Sequence, residues 1–240
     1  MKENKLISKN NNLIEASYKI SLNEQRLILL AISKIDPRKP LPNIIEISAK
    51  EFGYVFNLKD KDVYHALAIA TSELYERDIK TYDGRYENEI FERFRWVDKA
   101  TYHKGNASVS ISFTKWVAPY ISKLFTQFTT ICISQISNLK SIYSIRLLEF
   151  IMQFKKTGKF VISHKTLKER LGLTNEYSRF YDFKKYVIES SIRELKEKSL
   201  IDISYEVKKK GTKVDQLIFT FKLHDEDISK EINDISKLSS

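Results

Sequence analysis

Basic side chains close to residue 180 are the part of this sequence whose types and spacing best suggest chemistry. Arg179, Lys184 and Lys185 fall within a stretch of seven residues, and Asp182 is the only acidic residue among them. An arginine can pair bidentately with guanine, whereas a lysine more often contacts a phosphate. The cluster therefore favours binding to nucleic acid, with an ordinary solvated helix face as the simpler alternative.

Other polar residues extend this candidate DNA contact on both sides. A lysine-rich turn follows it, a short basic segment precedes it, and two polar residues lead directly into it. In that order, the candidates are Lys208, Lys209, Lys210 and Lys213; Lys165, Lys168 and Arg170; and Asn175 and Tyr177. A lysine-rich turn can lie on the DNA backbone or in the minor groove, but it can also be a soluble turn and nothing more.

The amino-terminal half offers fewer candidates, namely Lys59, Lys61, Arg93 and Arg95. Acidic residues are interleaved with both pairs, so the local charge is close to neutral. This half is expected to bind DNA more weakly. Its exposed hairpin strands could instead pair with another copy of the chain.

Charge is distributed unevenly along the chain, whose net charge is +10. Residues 126–223 contain 19 Lys and Arg against 10 Asp and Glu, whereas residues 1–125 contain 20 against 16. Residues 224–240 reverse the sign, with 2 against 5. A basic carboxy-terminal half suits a polyanionic partner, although charge alone can also serve solubility.

The sequence contains no recognisable catalytic or metal-binding pattern. No GxxxxGK[ST] loop is present, and one cysteine with four scattered histidines cannot supply a structural zinc site. The histidines include no His-x-His pair of the kind that a strand-nicking endonuclease would need for its metal. The acidic run at 225–227 could bind a cation, but such runs are more often solvated. No enzymatic activity, cofactor or metal is expected.

Signals for membranes and secretion are also missing. The longest apolar run, Leu27–Ile32, is far shorter than the roughly 20 residues of a membrane span. The amino terminus has no apolar core of a signal peptide, and the single Cys132 fits a reducing compartment. A cytoplasmic protein is expected.

Hydrophobic periodicity and capping signals predict the elements that must position the basic residues. The first half is predicted to contain a helix at 21–35 opened by a capping box, a strand at 44–48, a short helix from Ala49, a helix at 58–78, strands at 79–83, 89–103 and 107–113, a short helix at 114–125 and a strand at 128–134. The strands at 79–83 and 89–103 are expected to form a hairpin that carries Arg93 and Arg95.

The second half repeats this order. Its predicted elements are a helix at 141–156, a strand at 159–163, a short helix that ends at Gly172, a helix at 180–198, and strands at 201–207 and 214–223 joined by the lysine-rich turn. The core side of the helix at 180–198 is assigned to Phe183, Val187, Ile188, Ile192 and Leu195. Its first turns carry the basic cluster, so the helix is expected to hold the core and to face DNA.

Direct comparison of the halves indicates a duplication. The segment IEISAKEFGYVFNL aligns with FVISHKTLKERLGL, and a long helix and a hairpin follow each of them. This order is typical of a winged helix, in which two helices form the helix-turn-helix and the hairpin is the wing. We therefore predict an α+β fold of two tandem winged-helix domains related by internal duplication. The predicted divisions are a flexible amino terminus at 1–11, an amino-terminal domain at 12–125, a linker at 126–140, a carboxy-terminal domain at 141–223 and an acidic tail at 224–240.

Two long blocks of the sequence resemble a known family. The blocks are NNLIEASYKISLNEQRLILLAISKI and the stretch from SIYSIRLLEFIMQFKKTGKFVISHKTLKERLGL to KKKGTKVDQLIFTF. They resemble, in the correct order, the theta-type plasmid replication initiators of the Rep_3, or iteron-binding RepB-like, family. The similarity covers residues 12–223, with looser matching at 80–125.

The resemblance implies a mechanism as well as a fold. Such initiators bind tandem origin repeats, called iterons, mainly through a carboxy-terminal winged helix, which carries over to Arg179, Lys184 and Lys185. Their amino-terminal domain adds backbone contacts and forms a homodimer. Monomers promote melting of the origin and recruit the host initiator and the replicative helicase, whereas dimers often repress their own promoter.

Two alternatives stay open beside the initiator. A tandem winged-helix transcriptional repressor would share the binding residues, but a dimeric repressor expects inverted half-sites whereas an initiator expects direct repeats. A rolling-circle nicking endonuclease would belong to a different class, and the missing histidine pair argues against it.

Overall fold

The computed structural model describes residues 5–59, 62–83, 90–199 and 201–223. Contacts between residues divide the chain into two units. The first comprises Met1–Asn138 with Arg170–Gly172, and the second comprises Leu139–Glu169 with Leu173–Ser240. The predicted acidic tail at 224–240 and Lys61 lie outside the described residues.

The first unit contains a winged helix with additional strands. Its elements are β1 (Leu6–Asn10), α1 (Asn11–Glu15), α2 (Leu22–Ile32), β2 (Ile45–Ser48), α3 (Ala49–Val55), α4 (Val63–Tyr75), β3 (Asp78–Asp83), β4 (Ile90–Arg95), β5 (Val97–His103), β6 (Ser108–Phe113), α5 (Ala118–Ile121), β7 (Phe128–Cys132) and α6 (Ile133–Ser137). A short 3₁₀ turn, Lys104–Asn106, joins β5 to β6.

The second unit has fewer elements. They are α7 (Ile142–Met152), β8 (Lys159–Ser163), α8 (His164–Arg170), α9 (Phe180–Phe183), a π-helical segment (Lys184–Glu189), α10 (Ser190–Lys198), β9 (Ile201–Lys210) and β10 (Lys213–Leu223). The last residue of α8, Arg170, is grouped by its contacts with the first unit.

The predicted capping box at 21–35 is present, and the serines that precede the two predicted short helices, Ser48 and Ser163, cap them as their positions in the sequence predict. Ser21 and Glu24 form a capping box at α2, with each side chain bonded to the other residue's backbone N–H. Ser48 Oγ accepts from the Glu51 N–H at 3.1 Å, and Ser163 Oγ accepts from the Thr166 N–H at 3.0 Å. Each cap satisfies a backbone donor that a helix end otherwise leaves unpaired.

Both units build the same three-stranded antiparallel sheet beside the same helix pair. In the first unit the strand order is β2-β6-β5, and in the second it is β8-β10-β9. In each, the strand that precedes the two helices pairs with the last strand of the hairpin. The predicted α+β fold of two tandem winged-helix domains is therefore confirmed.

Burial of apolar side chains supports each sheet. In the second unit, Phe160 stacks between Phe150 and Phe219, with ring centroids 5.9 Å apart in both pairs. In the first, Ile47 and Val109 are fully buried at paired positions of β2 and β6. These cores hold the helices against the sheet in both units.

The hairpin predicted from the strands at 79–83 and 89–103 is present as β3 and β4, but its assignment as the wing of the first unit is wrong. Strands β3 and β4 form a separate two-stranded sheet, and the wing of the first unit is the next hairpin, β5–β6. The predicted continuous strand at 89–103 breaks at Trp96, which is fully buried and packs edge-on against Tyr18 at 5.2 Å. Because this ring is held in the core, the chain leaves one sheet there and enters the other.

One stretch expected to lack structure is an ordered strand. Residues 6–10, within the predicted flexible terminus, pair antiparallel with residues 128–132, where the sequence predicts a strand. The side-chain oxygens of Ser8 and Thr130 lie 2.9 Å apart across this ladder. Since the partners are more than a hundred residues apart, no local pattern in either strand reveals the pairing. The predicted helix at 114–125 is likewise shortened to Ala118–Ile121.

The predicted helix at 180–198, called the reading helix from here on, is helical throughout but is not a regular α-helix. Its middle turn, Lys184–Glu189, is π-helical. Because i→i+5 turns take more residues than α turns, they shift the register of the residues after them. Ser191, which lies four residues from both Val187 and Leu195, is buried, whereas Ile192, predicted on the core side, is only half-buried. The other four residues of the predicted stripe are buried.

Candidate nucleic-acid interface

The loop before the reading helix is held by its own contacts. Tyr177 adopts a left-handed backbone conformation with φ +51°, and its carbonyl accepts a hydrogen bond from Lys168 Nζ at 3.2 Å. The pKa of Tyr143 is raised above its ordinary value, mainly because the side chain is partly buried and secondly because the Tyr177 hydroxyl is close to it. Lys168 and Tyr177, both predicted DNA contacts, therefore also hold the loop in position.

Aromatic packing decides which side of the reading helix faces inward. Phe183 is fully buried, and the ring of His164 packs edge-on against Phe180 at 5.1 Å and lies 5.2 Å from Phe183. Burial, and then the charge of Lys168, lower the pKa of His164 below its ordinary value. The ring is therefore neutral near pH 7 and acts as a packing group.

The opposite side of the reading helix presents the basic cluster to solvent. Arg179 lies at the N-cap with 78% of its side chain exposed, and its Nε donates to Asp182 Oδ2 at 2.7 Å. Lys184 Nζ is 3.4 Å from a carboxylate oxygen of Glu189, a loose pair. Lys185 is exposed and lies over the ring of Tyr186 at 5.0 Å. The cluster is thus brought together as predicted, with Arg179 oriented by Asp182.

The wing of the second unit carries four of the predicted contacts at its tip. Strands β9 and β10 are joined by the two residues Gly211 and Thr212, with φ +64° at the glycine, and Lys210 pairs with Lys213 across the turn. A register shift between Val214 and Gln216 comes next. All four wing lysines are exposed, and among the described residues no carboxylate forms an ion pair with any of them. The wing tip is therefore a site of concentrated positive charge.

The remaining candidates of the second half differ in how available they are. Lys165 is 83% exposed and only loosely paired with Glu169, at 3.8 Å, and Asn175 is exposed in the loop. Arg170, in contrast, is engaged in an ion pair, with its Nη2 2.6 Å from Glu15 Oε2.

In the first unit, the predicted arginines are paired with acidic residues. Arg93 Nε donates to Asp78 Oδ2 at 2.6 Å, and Arg95 Nη2 lies 3.0 Å from a carboxylate oxygen of Glu76. Both arginines belong to β4, outside the winged-helix sheet. Lys59 is exposed in the loop before α4.

Sequence reasoning missed two groups of exposed residues. Lys99 and Lys104 lie on the β5–β6 hairpin, the actual wing of the first unit. Trp96, a large apolar residue in the middle of the predicted strand at 89–103, could have indicated that this strand is divided in two. Tyr181 and Tyr186 lie on the reading helix with 66% and 53% exposure. The position of Tyr181, two residues before the buried Phe183, would have placed it on another side of the helix.

Further observations concern metals and membranes. Within the described residues, no group of three or more His, Cys, Asp or Glu side chains is placed to hold a metal ion. No helix in the described part of the chain is long and apolar enough to cross a lipid bilayer.

Two winged-helix units, one presenting a basic reading helix and a basic wing, define a DNA-binding protein of the winged-helix class. Comparison with protein families narrows this class. A family model described as initiator replication protein, WH1, matches residues 6–152, and one described as initiator Rep protein, WH2, matches residues 163–221. The chain belongs to this family of replication initiator proteins. The resemblance to replication initiators is thereby confirmed, and the family consists of DNA-binding initiators rather than catalytic enzymes.

Individual relatives agree with this assignment. A replication initiation protein of Escherichia coli is 25% identical, over 91% of this chain and 70% of the relative. The PI protein of Escherichia coli is 26% identical, over 93% of this chain and 85% of the relative. A crystal structure of the Pi initiator protein in complex with iteron DNA matches with a TM-score of 0.78 at 23% identity, over 94% of this chain and all of that chain. This last likeness shows the fold.

Proposed function

We propose that the chain initiates plasmid replication by binding tandem origin repeats, with the second winged helix as the main reader. One observation carries this proposal. The first turns of the reading helix and the wing tip expose basic side chains on a fold whose relative, the Pi initiator protein, was crystallised with iteron DNA.

The basic residues divide into two roles under this proposal. Arg179, at the amino-terminal end of the reading helix and held by Asp182, is placed to contact a base edge in the major groove, where a bidentate guanine contact contributes about 1–3 kcal/mol of discrimination. Lys184 and Lys185 follow Arg179 on the same helix and are proposed to contact DNA beside it. The wing lysines contact phosphates, which supplies affinity that weakens steeply with salt. Tyr177, Asn175, Lys165 and Lys168 are proposed as supporting contacts.

The first unit is proposed to add backbone contacts and to form a homodimer. Its candidate contacts are Lys59 and Lys61, with the paired Arg93 and Arg95 contributing less. Recruitment of the host initiator and the replicative helicase, melting of the origin and autorepression by the dimer belong to the same proposal. Such a protein works on plasmid DNA in the cytoplasm and needs neither a cofactor nor catalysis of its own.

The test is a titration of the protein onto duplex DNA flanking its own gene and onto a shuffled duplex, at several salt concentrations. The variant changes Arg179, Lys184 and Lys185 to Ala. We expect tight binding of the native protein only to the natural flank, and loss of this preference in the variant. A matched control changes Lys156, Lys159 and Lys196 to Ala, which removes the same charge from exposed positions. Lys159 lies at the end of β8 away from the wing tip.

The outcomes separate the candidate functions. Equal, steeply salt-dependent binding to both duplexes, unchanged in the variant, would contradict the proposal. Protection of directly repeated sites would support an initiator, whereas protection of a single inverted repeat would indicate a repressor. Equal losses of DNA affinity in the variant and the matched control would show that the effect comes from net charge and not from the positions of these three residues.

A further inference from the structure

One exposed aromatic side chain on the reading helix has no function in the packing of the protein. Tyr181 is 66% exposed, although its neighbours Phe180 and Phe183 pack against His164. Within the part of the chain that the structure describes, its side chain forms no hydrogen bond, ring contact or cation contact. Its free ring lies on the first turn of the helix proposed to enter the major groove.

We propose that Tyr181 reads a thymine, by packing its ring against the C5-methyl group of that base in the major groove. The inference rests on the proposed function and adds a base-specific contact to it. Three arguments support it: the position of the side chain, the contrast with other tyrosines, and the chemistry of the base edges.

The position follows from helix geometry. Residues three and four apart share a helix face, so Tyr181 lies on the same side as Lys184 and Lys185. It also lies two residues after Arg179, which occupies the N-cap. The residues at this end of a recognition helix are those that reach base edges. Tyr181 thus shares this end of the helix with the cations that would hold the helix against DNA.

Other tyrosines of the second unit already have partners. The hydroxyl of Tyr205 donates to Glu189 at 3.2 Å, the ring of Tyr177 lies 6.2 Å from Phe183, and the ring of Tyr186 has the Lys185 ammonium over it. An exposed aromatic ring in a strongly basic, solvent-facing cluster remains unexplained by folding. A partner outside the chain accounts for it.

Base chemistry selects thymine. In the major groove only thymine presents a methyl group, and apolar side chains recognise it by direct contact. Burial of one methyl group is worth about a fourfold change in affinity. The major-groove edges of cytosine, adenine and guanine present hydrogen-bonding groups instead of a methyl group. The face of an aromatic ring binds such polar groups no better than water does.

The experiment replaces each thymine in turn by deoxyuridine, which removes the methyl group and keeps the base pair. The probe is the shortest duplex from the gene's flank that the native protein protects from nuclease. Native protein, Tyr181→Ala and Tyr181→Phe are titrated onto every duplex of the series. We expect one thymine at which native protein and Tyr181→Phe lose about fourfold in affinity, whereas Tyr181→Ala loses affinity on the parent duplex and is indifferent to the substitution.

Two results would overturn the inference. One is that no thymine shows sensitivity that disappears in Tyr181→Ala. The other is that Tyr181→Phe loses as much as Tyr181→Ala with no effect of deoxyuridine, which would assign a phosphate contact to the hydroxyl. If native protein distinguishes the flank from shuffled DNA while no thymine shows a deoxyuridine effect that disappears in Tyr181→Ala, only the role of Tyr181 fails. If it does not distinguish them, the proposed function fails together with this inference. Circular dichroism checks that the variants, altered at an exposed position, remain folded.

Discussion

The two winged helices share an order of elements and differ in what their cations face. In the first unit, Arg93 and Arg95 are tied to the carboxylates of Asp78 and Glu76. In the second, the wing lysines point into solvent, and no carboxylate among the described residues pairs with them. The β3–β4 hairpin of the first unit and the wing of the second therefore present very different surfaces to a polyanion. The fold supplies the scaffold, and the local pairing of charges determines what can bind to it.

A second difference lies in the hairpins. The first unit inserts the β3–β4 sheet between its long helix and its wing, whereas the second goes directly from the reading helix into β9 and β10. The wing of the first unit therefore carries Lys99 and Lys104 in place of the arginines that sequence order suggests. Counting elements along the chain assigned the wrong hairpin, and strand pairing corrects it.

Removal of the lysine wing is expected to have the largest effect on DNA binding. Changing Lys208, Lys209, Lys210 and Lys213 to Ala removes up to four phosphate contacts. Each lost contact makes the negative slope of log K against log salt less steep by about 0.9. At about 0.15 M salt, loss of all four contacts corresponds to a fall in affinity of up to ~10³-fold. Native and shuffled DNA should be affected in parallel, because phosphates carry no sequence information. Fluorescence anisotropy at four salt concentrations measures both quantities.

The matched control for the wing removes four exposed lysines elsewhere in the second half, namely Lys140, Lys156, Lys159 and Lys196. We expect a much smaller change in slope for this variant, through net charge alone. Similar slopes for the two variants would mean that the wing is not in contact with the backbone, and the contrast between the two units would lose its functional meaning.

A partly buried carboxylate, Glu194, gives the next largest expected effect, on stability. Glu194 accepts hydrogen bonds from the backbone N–H groups of Lys140 and Ser141, at 2.9 and 3.1 Å, and from Lys198 Nζ at 2.5 Å. Burial alone would raise its pKa, but these bonds lower it below the ordinary value. We expect Glu194→Gln to lower the free energy of unfolding by about 1–3 kcal/mol at pH 7. Urea denaturation followed by circular dichroism measures it.

The sign of the pH dependence follows from the lowered pKa. The contribution of Glu194 is complete above the unfolded pKa, about 4.5, and is lost as the pH falls through the lower folded value. The native protein and Glu194→Gln should therefore begin to converge in stability as the pH falls below 4.5, and converge fully below the lower folded pKa. Glu51 in the first unit provides the comparison. It is bonded to Lys5 and Lys34 at 3.0 and 2.7 Å, and its side chain is 22% exposed against 12% for Glu194, so Glu51→Gln should cost only about 0.5–1 kcal/mol. A larger loss for Glu51→Gln would reverse this ranking.

How much could be predicted from the sequence depends on whether the signal is local. The caps at Ser21, Ser48 and Ser163 were predictable because a cap and its backbone donor lie three residues apart. The pairing of β1 with β7 was not, since a ladder across the chain leaves no mark in either strand. Burial of Trp96, which divides one predicted strand into two, depends on packing against a distant ring.

The candidate site divides along the same line. The basic character of the reading helix and of the wing is visible in composition, and periodicity places both on the surface. Whether a cation is available depends on its partners, and Arg170 and Arg93 are engaged by acidic residues that no pattern near them indicates. The π-helical turn was hidden because four of the five predicted core residues remain buried in either register.

The smallest effect is expected from the arginines of the first unit. Changing both Arg93 and Arg95 to Ala removes two positive charges, as many as half of the wing does. Their guanidinium groups are neutralised by Asp78 and Glu76 and are not on the winged-helix sheet, so affinity for the flanking DNA should fall less than threefold. Exposed ion pairs contribute only about 0–1 kcal/mol, so stability should hardly change. The same anisotropy titration, beside a variant that changes only Lys208 and Lys209 to Ala, measures the difference. A loss as large as that of the double lysine variant would show that the arginines leave their carboxylates for DNA, and the two units would then be equivalent binders in spite of their different pairing in the free protein.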